Sequence, residues 1–338
     1  MNKDPYISVV VPVRNGSQYI DKCLLAFKES TYEQFEVIVV DDASTDNTVE
    51  IAQKTGVKIV ILDKLSGPAA ARNRGAESAR GDILLFIDAD VVINNDTIEL
   101  IAKAYTENPS ISAVFGSYDD KPEAPDFISQ YRNLLHHYVH QIAKRDATTF
   151  WTGCGAIRKS VFDELGGFDE IRHPIPSMED IEIGLRMSEQ GYKIILDKNI
   201  QVTHLKHWGF YSLIKTDIFQ RAVPWSQLIL ERKLLPRDLN LRFRDRFSTT
   251  LVGIIIIAVS IYILKLFTQI DIIPSGYILL TALISLCVIL ILNRDLYLFF
   301  LRKRGVGFAL LSILMHILFY IYSGITFGVL WIGSKLQH

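Results

Sequence analysis

Three long apolar stretches near the C-terminus restrict what this chain can fold into. They lie at residues 249–267, 274–292 and 306–332 of a sequence of 338 residues. A helix needs about 20 apolar residues to cross the hydrocarbon core of a bilayer, and a longer stretch can tilt. We therefore expect a transmembrane region at residues 249–338 with about three helices, or with two helices and a re-entrant segment.

Basic residues around these stretches predict their orientation. They precede the first stretch and separate the second from the third: Arg237, Arg242, Arg244, Arg246, Arg294, Arg302, Lys303 and Arg304. The loop at 268–273 contains no Lys or Arg. Basic loops remain on the cytoplasmic side of a membrane. We therefore expect a multi-pass protein of the cytoplasmic membrane, surrounded by membrane lipids, with its N-terminal part on the cytoplasmic side.

Charge and cysteine content exclude several classes of protein. The chain has 36 Lys and Arg against 37 Asp and Glu, so it lacks the basic excess of a nucleic-acid-binding protein. Its three cysteines, Cys23, Cys154 and Cys287, are far apart, which indicates neither a disulfide framework nor a zinc site. The N-terminus leads directly into a strand without the pattern of a signal peptide. We therefore expect this part to fold in the compartment where it is made.

Short β-branched runs alternate with helical segments in the N-terminal part. The pattern predicts strands at 7–13, 35–40, 58–62 and 83–87, and helices at 18–30, 48–54 and 69–79. This alternation is typical of a mostly parallel α/β sheet. Further along, the pattern predicts helices at 127–142, 161–165 and 178–190, and strands at 150–157, 192–196 and 200–204.

Polar side chains follow three of the predicted strands at their carboxyl ends, where ligands bind in parallel sheets. They include Arg14, Asp41, Asp42 and the pair Asp88 and Asp90. In extended backbone, residues two apart point to the same side, so the last two carboxylates would project together. Such a pair suits Mg²⁺ or Mn²⁺, which could neutralise a diphosphate leaving group. The alternative is a solvated turn.

Two acidic pairs also have ordinary structural explanations. Asp42 could accept hydrogen bonds from a base or a ribose, while Asp46 or its neighbours would cap the next helix. Glu179 and Asp180 open a helix, where acidic residues complement the helix dipole. A proline-containing loop precedes them, and a carboxylate in such a place can act as a general base toward an acceptor hydroxyl. For this second pair we favour the functional interpretation.

Five segments together resemble glycosyltransferase family 2. They are VVVPVRNG in the region of residues 10–16, VVDDASTDNT at 39–48, ARNRGAESARGDILLFIDAD at 71–90, TGCGAIRKSVFDELGGFDE at 152–170 and MEDIEIGLRM at 178–187. They occur in the family's order over about residues 5–205. The resemblance implies a GT-A fold, which is an α/β domain with a Rossmann-like mixed sheet. It also implies an inverting transfer from a nucleotide diphosphate sugar with a divalent metal, Mg²⁺ or Mn²⁺.

The resemblance also implies roles for individual residues. Those implied to bind the nucleotide sugar are Pro12, Arg14, Asp41, Asp42, Arg72, Asn73, Asp88, Thr152 and Gly153. Asp42 matches the acid that contacts the base. Asp88 and Asp90 match the D-x-D motif, with Asp90 as the direct metal ligand. Asp180 matches the catalytic base, supported by Glu179.

Four histidines need separate treatment. Some enzymes with this fold place a histidine near the metal late in the domain, so His204 is a candidate ligand, with a structural role as the alternative. His136, His137 and His140 have helical spacing but no acidic partners, and we expect them on a helix surface. His316 lies within the third apolar stretch, where an ionisable residue is a weak indication of function.

The membrane-proximal segment departs from one family pattern. Processive synthases of the family carry Q-x-x-R-W before the membrane, whereas here Pro224 stands in place of the arginine. We therefore expect transfer of one or a few sugars. Arg221 and Trp225 are candidates for contact with the acceptor, and a helix lying on the membrane surface is the alternative. The apolar helices suggest a lipid-linked or glycolipid acceptor.

We thus predict a GT-A domain at 1–205, an amphipathic interface region at 206–248 and a transmembrane region at 249–338. The predicted function is hexosyl transfer from a UDP- or GDP-sugar to a lipid-linked or membrane-proximal acceptor, in synthesis of cell-envelope glycans or glycolipids. A sugar-nucleotide pyrophosphorylase would need a Gly-rich loop after the first strand, and this is missing. The alternative is a membrane-bound sugar-nucleotide-binding protein without turnover. The intact acidic residues argue against that alternative.

Overall fold

The computed structural model describes residues 4–232, 243–268 and 273–336. The chain divides into two compact units, Met1–Phe210 and Tyr211–His338. The first unit ends close to the predicted domain boundary at residue 205. The predicted interface region is not a compact unit of its own, because its described residues fall almost wholly in the second unit.

The described part of the first unit is built around a nine-stranded sheet. The strands are β1 Ile7–Val13, β2 Phe35–Asp41, β3 Lys58–Ile61, β4 Ile83–Ile87, β5 Val91–Ile93, β6 Ile111–Tyr118, β7 Asp146–Ala147, β8 Cys154–Arg158 and β9 Lys193–His204. Their order is β3-β2-β1-β4-β8-β6-β9-β5, and β7 also pairs with β9. β3, β2, β1 and β4 are parallel to one another, which confirms the four strands predicted for this half.

The other half of the sheet makes it mixed rather than mostly parallel. β8 runs antiparallel to both β4 and β6, and β5 runs antiparallel to β9. β6 was not predicted, because its small and polar residues (ISAVFGSY) give a weak apolar pattern. The two strands predicted at 192–196 and 200–204 form the single strand β9.

Helices cover both faces of this sheet. They are α1 Ile20–Lys28, α2 Thr48–Lys54, α3 Pro68–Glu77, α4 Thr97–Glu107, α5 Phe127–Ile142, α6 Lys159–Glu164 and α7 Glu179–Glu189. Successive strand residues point to opposite faces, so Val9 and Val11 join a core with α1 and α4. Val10 joins a second core with α3, α6 and α7. The two cores fix the strands against the helices, and so they fix the positions of the polar residues at the carboxyl ends of the strands.

The second unit is helical in its described part. Its helices are α8 Phe210–Thr216, which starts at the unit boundary, α9 Val223–Arg232, α10 Phe243–Thr268, α11 Ser275–Leu292, α12 Arg294–Arg304 and α13 Val306–Leu336. Three of them, α10, α11 and α13, are long and apolar enough to cross a membrane, as the apolar stretches predicted. Arg237 and Arg242, used to predict the orientation, lie outside the described residues.

A π-helical segment, Asp217–Ala222, joins α8 to α9. Pro224 is the second residue after this segment. Proline has no N–H to donate, and its ring clashes with the carbonyl four residues earlier in an α-helix. A wider helical turn before the proline relieves that clash. The residue that breaks the Q-x-x-R-W pattern therefore also explains the local geometry.

Polar side chains connect the helices of the second unit. The Asn293 amide donates to the Ser248 hydroxyl over 3.1 Å and accepts from the Tyr320 hydroxyl over 3.1 Å. Asn293 and Ser248 are fully buried. His316 is also buried and lies 3.1 Å from the Tyr297 hydroxyl through Nδ1. The histidine flagged in the third apolar stretch thus belongs to a network that joins α12 to α13.

Candidate active site

The loops after β1 and β2 are tied to each other by hydrogen bonds. Asn15 has a left-handed backbone with φ of 48°, and its amide oxygen accepts from the Thr45 N–H over 2.8 Å. The Ser44 hydroxyl accepts from the Asn15 N–H over 2.8 Å. Pro12 is half-buried at the end of β1, and Arg14 is exposed just beyond it. The predicted nucleotide-side residues of this strand therefore lie at a braced edge of the sheet.

Asp41 and Asp42 are both buried at the end of β2. The Asp42 carboxylate accepts from the Ser66 N–H over 2.7 Å and from the Gly67 N–H over 2.9 Å. Asp42 therefore holds the turn that starts α3. One Asp41 oxygen accepts from the Ser44 N–H, while Oδ1 is buried without a partner among the described residues. This Asp41 oxygen is an acceptor left for a ligand donor.

Arg72 connects the end of β4 with the start of α7. Its guanidinium donates to Asp88 Oδ1 over 2.8 Å and to Glu179 Oε1 over 2.8 Å, and its side chain is only 5% exposed. Burial raises the pKa of Asp88 above its usual value, although Arg72 opposes this. Arg72 was predicted to lie near the nucleotide. In the structure its terminal nitrogens bind the D-x-D and E-D motifs together.

Asn73 has a scaffolding position. Its amide donates to the Phe168 carbonyl over 2.9 Å and to the Glu170 carboxylate over 2.8 Å, and it accepts from the Phe168 N–H over 2.9 Å. These bonds use both ends of the amide. Asn73 therefore holds the loop after α6, and its expected contact with the nucleotide stays a prediction.

Asp90 and His204 come together because β5 pairs with β9. The antiparallel register places Val91 opposite His204, and the Leu205 N–H donates to the Asp90 carbonyl over 2.8 Å. His204 Nε2 lies 3.6 Å from Asp90 Oδ2. Burial raises the pKa of Asp90, but its contact with His204 outweighs this and holds the pKa below its usual value. The candidate carboxylate and imidazole ligands are therefore neighbours.

Asp180 is half-buried in the first turn of α7. Its carboxylate accepts from the Ile181 N–H over 2.8 Å and, more weakly, from the Thr152 N–H over 3.5 Å. Burial raises the pKa of Asp180 to about 7, with a further contribution from Glu179, while Arg72 opposes the shift. A carboxylate with such a pKa can both hold and release a proton near neutral pH.

Thr152 and Gly153 form the backbone beside Asp180. Thr152 is buried, and a Cβ at Gly153 would lie 2.2 Å from a ring carbon of Trp151. Only glycine lets the indole lie against the backbone here. Trp151 is half-buried beside the ring of Tyr118, at 4.9 Å between centroids. Sequence reasoning missed both aromatic residues.

Two histidines of α5 are buried and His136 is half-buried, which corrects their expected place on a helix surface. His137 and His140 are 8% and 4% exposed. Their Nδ1 atoms lie 2.8 and 3.1 Å from the carbonyls of Tyr118 and Gly116, to which they must donate. The His136 ring lies 4.7 Å from that of Trp151. These histidines anchor α5 on β6 and support the aromatic wall of the site.

The donor atoms near Asp90 fit a divalent cation of the Mg²⁺ or Mn²⁺ type. Carboxylate oxygens and an imidazole nitrogen are suitable ligands for Mn²⁺. Across the described part of the chain, no group of three or more His, Cys, Asp and Glu side chains is arranged to hold a metal. Asp88 already binds Arg72. Asp90 and His204 are thus the two residues that would hold such a cation, together with phosphate oxygens of a substrate.

The acceptor-side candidates lie in the second unit. The Arg221 guanidinium donates to Asp217 Oδ1 over 2.6 Å, and the Tyr322 hydroxyl of α13 donates to Asp217 Oδ2 over 2.6 Å. Asp217 is buried and Trp225 is half-buried. Arg221 therefore takes part in fixing the π-helical segment to α13.

The mixed sheet with helices on both faces and acidic residues at its strand ends has the GT-A fold. The model of the family described as glycosyl transferase family 2 matches residues 8–166. The match covers just under half of the chain, and all of it lies within the N-terminal unit. The matched range contains the first three of the five segments named above, which lie within residues 10–90, and also Thr152 and Gly153. It ends before Asp180 and His204.

Two relatives and one solved structure illustrate the similarity. The glycosyltransferase GlyG of Streptococcus pneumoniae is 32% identical over 161 residues, 46% of this chain and 53% of GlyG, so the chain spans about half of that relative. The O-antigen chain rhamnosyltransferase WbaN of Salmonella anatum is 28% identical, over 66% of this chain and 75% of WbaN. A mannosyltransferase of Pyrobaculum calidifontis, solved with GDP-Man and Mn²⁺, superposes with a TM-score of 0.60 at 17% identity, over 96% and 88% of the two chains. The last likeness establishes the fold.

Proposed function

We propose that this protein is a metal-dependent, inverting glycosyltransferase. It would move a hexose-type sugar from a UDP- or GDP-sugar to a lipid-linked or membrane-proximal acceptor, in synthesis of cell-envelope glycans or glycolipids. One observation carries the proposal. Arg72 binds Asp88 of the D-x-D motif and Glu179 of the E-D motif, so that donor-side acids and the candidate base Asp180 share one edge of the sheet.

Asp180 is the catalytic base of the proposed reaction. Its pKa of about 7 leaves a substantial fraction ionised at neutral pH, ready to accept a proton. The acceptor hydroxyl loses its proton to Asp180 as its oxygen bonds to the anomeric carbon. On the opposite face the bond from that carbon to the diphosphate oxygen breaks, and the nucleoside diphosphate leaves with the electron pair. A single displacement of this kind inverts the configuration.

The other residues bind and orient the donor. Asp90 and His204 would hold the divalent cation, which supplies positive charge next to the leaving diphosphate. The Mn²⁺ in the structurally similar mannosyltransferase supports this assignment. Pro12, Arg14 and the free Asp41 oxygen provide the nucleotide side. Thr152 and Gly153 would form the backbone beside the sugar.

The helices support a membrane acceptor. Three of them are long and apolar enough to cross a bilayer, and the relative WbaN is named as an O-antigen chain rhamnosyltransferase. Basic residues at the start of α10 and along α12 favour a cytoplasmic position for these ends. We therefore place the protein in the cytoplasmic membrane, with the catalytic domain on its cytoplasmic side.

The test is release of nucleoside diphosphate by detergent-purified protein from a panel of nucleotide sugars, with Mn²⁺ or Mg²⁺ and membrane lipid extract. The proposal requires release that depends on one donor, on lipid, on metal and on Asp180. Equal activity on a water-soluble acceptor would overturn the membrane-acceptor part. Specific binding of a nucleotide sugar without turnover across acceptors would favour the alternative, a sugar-nucleotide-binding membrane protein.

A further inference from the structure

Tyr118 stands at the end of β6, in a position created by an irregularity in the sheet. The pairing of β6 with β9 shifts register between Phe115 and Ser117. At the shift, a Cβ on Gly116 would lie 2.2 Å from the Ile200 carbonyl oxygen, so only glycine allows the close approach. Irregularities of this kind occur next to active sites. Regular pairing resumes after the shift, with Tyr118 opposite Val202 at the end of β6.

The Tyr118 ring is held between aromatic neighbours. It stacks on His204, with 4.3 Å between ring centroids and 18° between planes. Trp151 meets it edge-on at 4.9 Å, and His136 lies at 4.5 Å. These contacts fix both the plane of the phenol and the direction of its hydroxyl. Tyr118 is therefore preorganised beside a candidate metal ligand.

The hydroxyl of this held ring has no protein partner within the part of the chain that the structure describes. Tyr118 is half-buried, and its hydroxyl is not sealed from solvent. Tyr105 differs, because it is buried and its hydroxyl donates to the Ala156 carbonyl over 2.9 Å. The Tyr118 hydroxyl is instead accessible, and it can donate to a molecule that enters the site.

The neighbours of Tyr118 connect it with both sides of the candidate site. On one side its ring stacks on the candidate ligand His204. On the other it meets Trp151, which is followed directly by Thr152, whose N–H donates to the Asp180 carboxylate over 3.5 Å. A phenol hydroxyl in this place offers one uncharged donor to an oxygen-rich ligand.

We propose that Tyr118 is a substrate-binding residue whose hydroxyl donates a hydrogen bond to the transferred sugar of the nucleotide-sugar donor. The inference rests on the proposed function. The anomeric carbon must lie between the diphosphate, on the Asp90 and His204 side, and the acceptor oxygen next to Asp180. A phenol that stacks on His204 and meets Trp151, next to the Thr152 N–H that binds Asp180, therefore adjoins the sugar. Sugar hydroxyl and ring oxygens are acceptors for such a donor.

The experiment uses the full-length protein with Tyr118→Phe, which removes the hydroxyl and keeps the ring against His204. The matched control is Tyr192→Phe, which also removes one phenol hydroxyl. Tyr192 precedes the first residue of β9, whereas His204 is the last residue of this strand, so the control lies away from the candidate site. Calorimetry compares the affinity of each variant for the preferred nucleotide sugar with its affinity for the nucleoside diphosphate alone. Mn²⁺ affinity is measured by electron paramagnetic resonance, and turnover by diphosphate release.

Loss of one such hydrogen bond should lower nucleotide-sugar affinity and kcat/KM for the donor by about 3- to 10-fold. Affinities for the nucleoside diphosphate and for Mn²⁺ should stay within about twofold, and Tyr192→Phe should match the wild type. An unchanged nucleotide-sugar affinity overturns the inference, even if the wild type turns over and the proposed function stands. An equal loss for the diphosphate, or weaker Mn²⁺ binding, also overturns it. If no nucleotide sugar binds the wild type, the proposed function fails as well.

Discussion

Arg72→Met tests whether one buried cation unites the two acidic motifs. The Arg72 side chain is 5% exposed and binds Asp88, and also Glu179, whose side chain is 7% exposed. Methionine fills similar apolar space but carries no charge. The substitution leaves both carboxylates without their shared partner and removes the nearest positive charge acting on Asp180. It should therefore change both stability and the pH dependence of turnover.

The expected loss of stability follows from the burial of Arg72, and the expected shift in the pKa of Asp180 follows from the positive charge of Arg72. Removing one partner of a buried ion pair costs about 3–5 kcal/mol, and about 2–4 °C of melting temperature is lost per kcal/mol in a domain of this size. We therefore expect the unfolding midpoint of the first unit to fall by roughly 6–20 °C. Arg72 lowers the pKa of Asp180, so its loss raises that pKa. Because a general base must be deprotonated, the acid limb of the pH–rate profile, near 7 in the wild type, should move to higher pH.

The assay is donor-dependent diphosphate release across a pH series, alongside thermal unfolding in detergent. Arg74→Met is the control, because Arg74 lies on the same helix but is 43% exposed and pairs with Glu77. An exposed pair contributes about 0–1 kcal/mol, so this variant should keep both the unfolding midpoint and the pH profile. An acid limb that stays in place, or moves to lower pH, in Arg72→Met would refute the electrostatic role.

Three further changes have definite expected results. Asp180→Asn should lower kcat by about 10²–10⁴-fold while calorimetry shows nucleotide-sugar binding retained, and substantial residual kcat would remove Asp180 from the role of base. His204→Ala should weaken Mn²⁺ affinity by at least about 10-fold, measured by paramagnetic resonance, and an unchanged affinity would mean that His204 is structural. Asn293→Ala should destabilise the helical unit by about 1–3 kcal/mol in detergent unfolding, because its bonds with Ser248 and Tyr320 are lost. Unaltered unfolding would show that the Asn293 network contributes little.

The parts of the fold that depend on short stretches of sequence could be predicted from the pattern of residues in those stretches. The parallel half of the sheet follows from β-branched runs that end at turn residues, and strand β4 was predicted with its observed bounds. The three long apolar helices follow from composition alone. β6 escaped because Ser112, Ala113, Gly116 and Ser117 dilute its apolar character, although Ser112 and Ser117 are buried in the sheet.

The acidic residues of the candidate site could be singled out from the sequence, but their contacts could not. Asp42 and Asp90 follow predicted strands, and Asp180 opens a predicted helix. The distances that decide their roles depend on long-range pairing, which no local pattern contains. Arg72 and Asn73 lie side by side on α3, yet one binds two acidic motifs and the other holds a loop. The two side chains leave the helix in different directions, and this difference decides which partners each of them binds.

The charges of the assembled site connect its parts to the need for a cation. Asp88, Asp90, Glu179 and Asp180 bring four carboxyl groups to one edge of the sheet, and Arg72 binds two of them directly. A diphosphate adds further negative charge, and close charges of one sign repel strongly where water is partly excluded. In the proposed reaction, a divalent cation held by Asp90 and His204 would change the sign of the field next to the leaving group. Because the pKa of Asp180 is raised to about 7, part of the protein molecules carry a proton on Asp180 at neutral pH, and this proton reduces the same repulsion. A cation near Asp90 and a proton on Asp180 would thus both reduce repulsion between negative charges in the site. Arg72 reduces it as well, because it binds Asp88 and Glu179 directly.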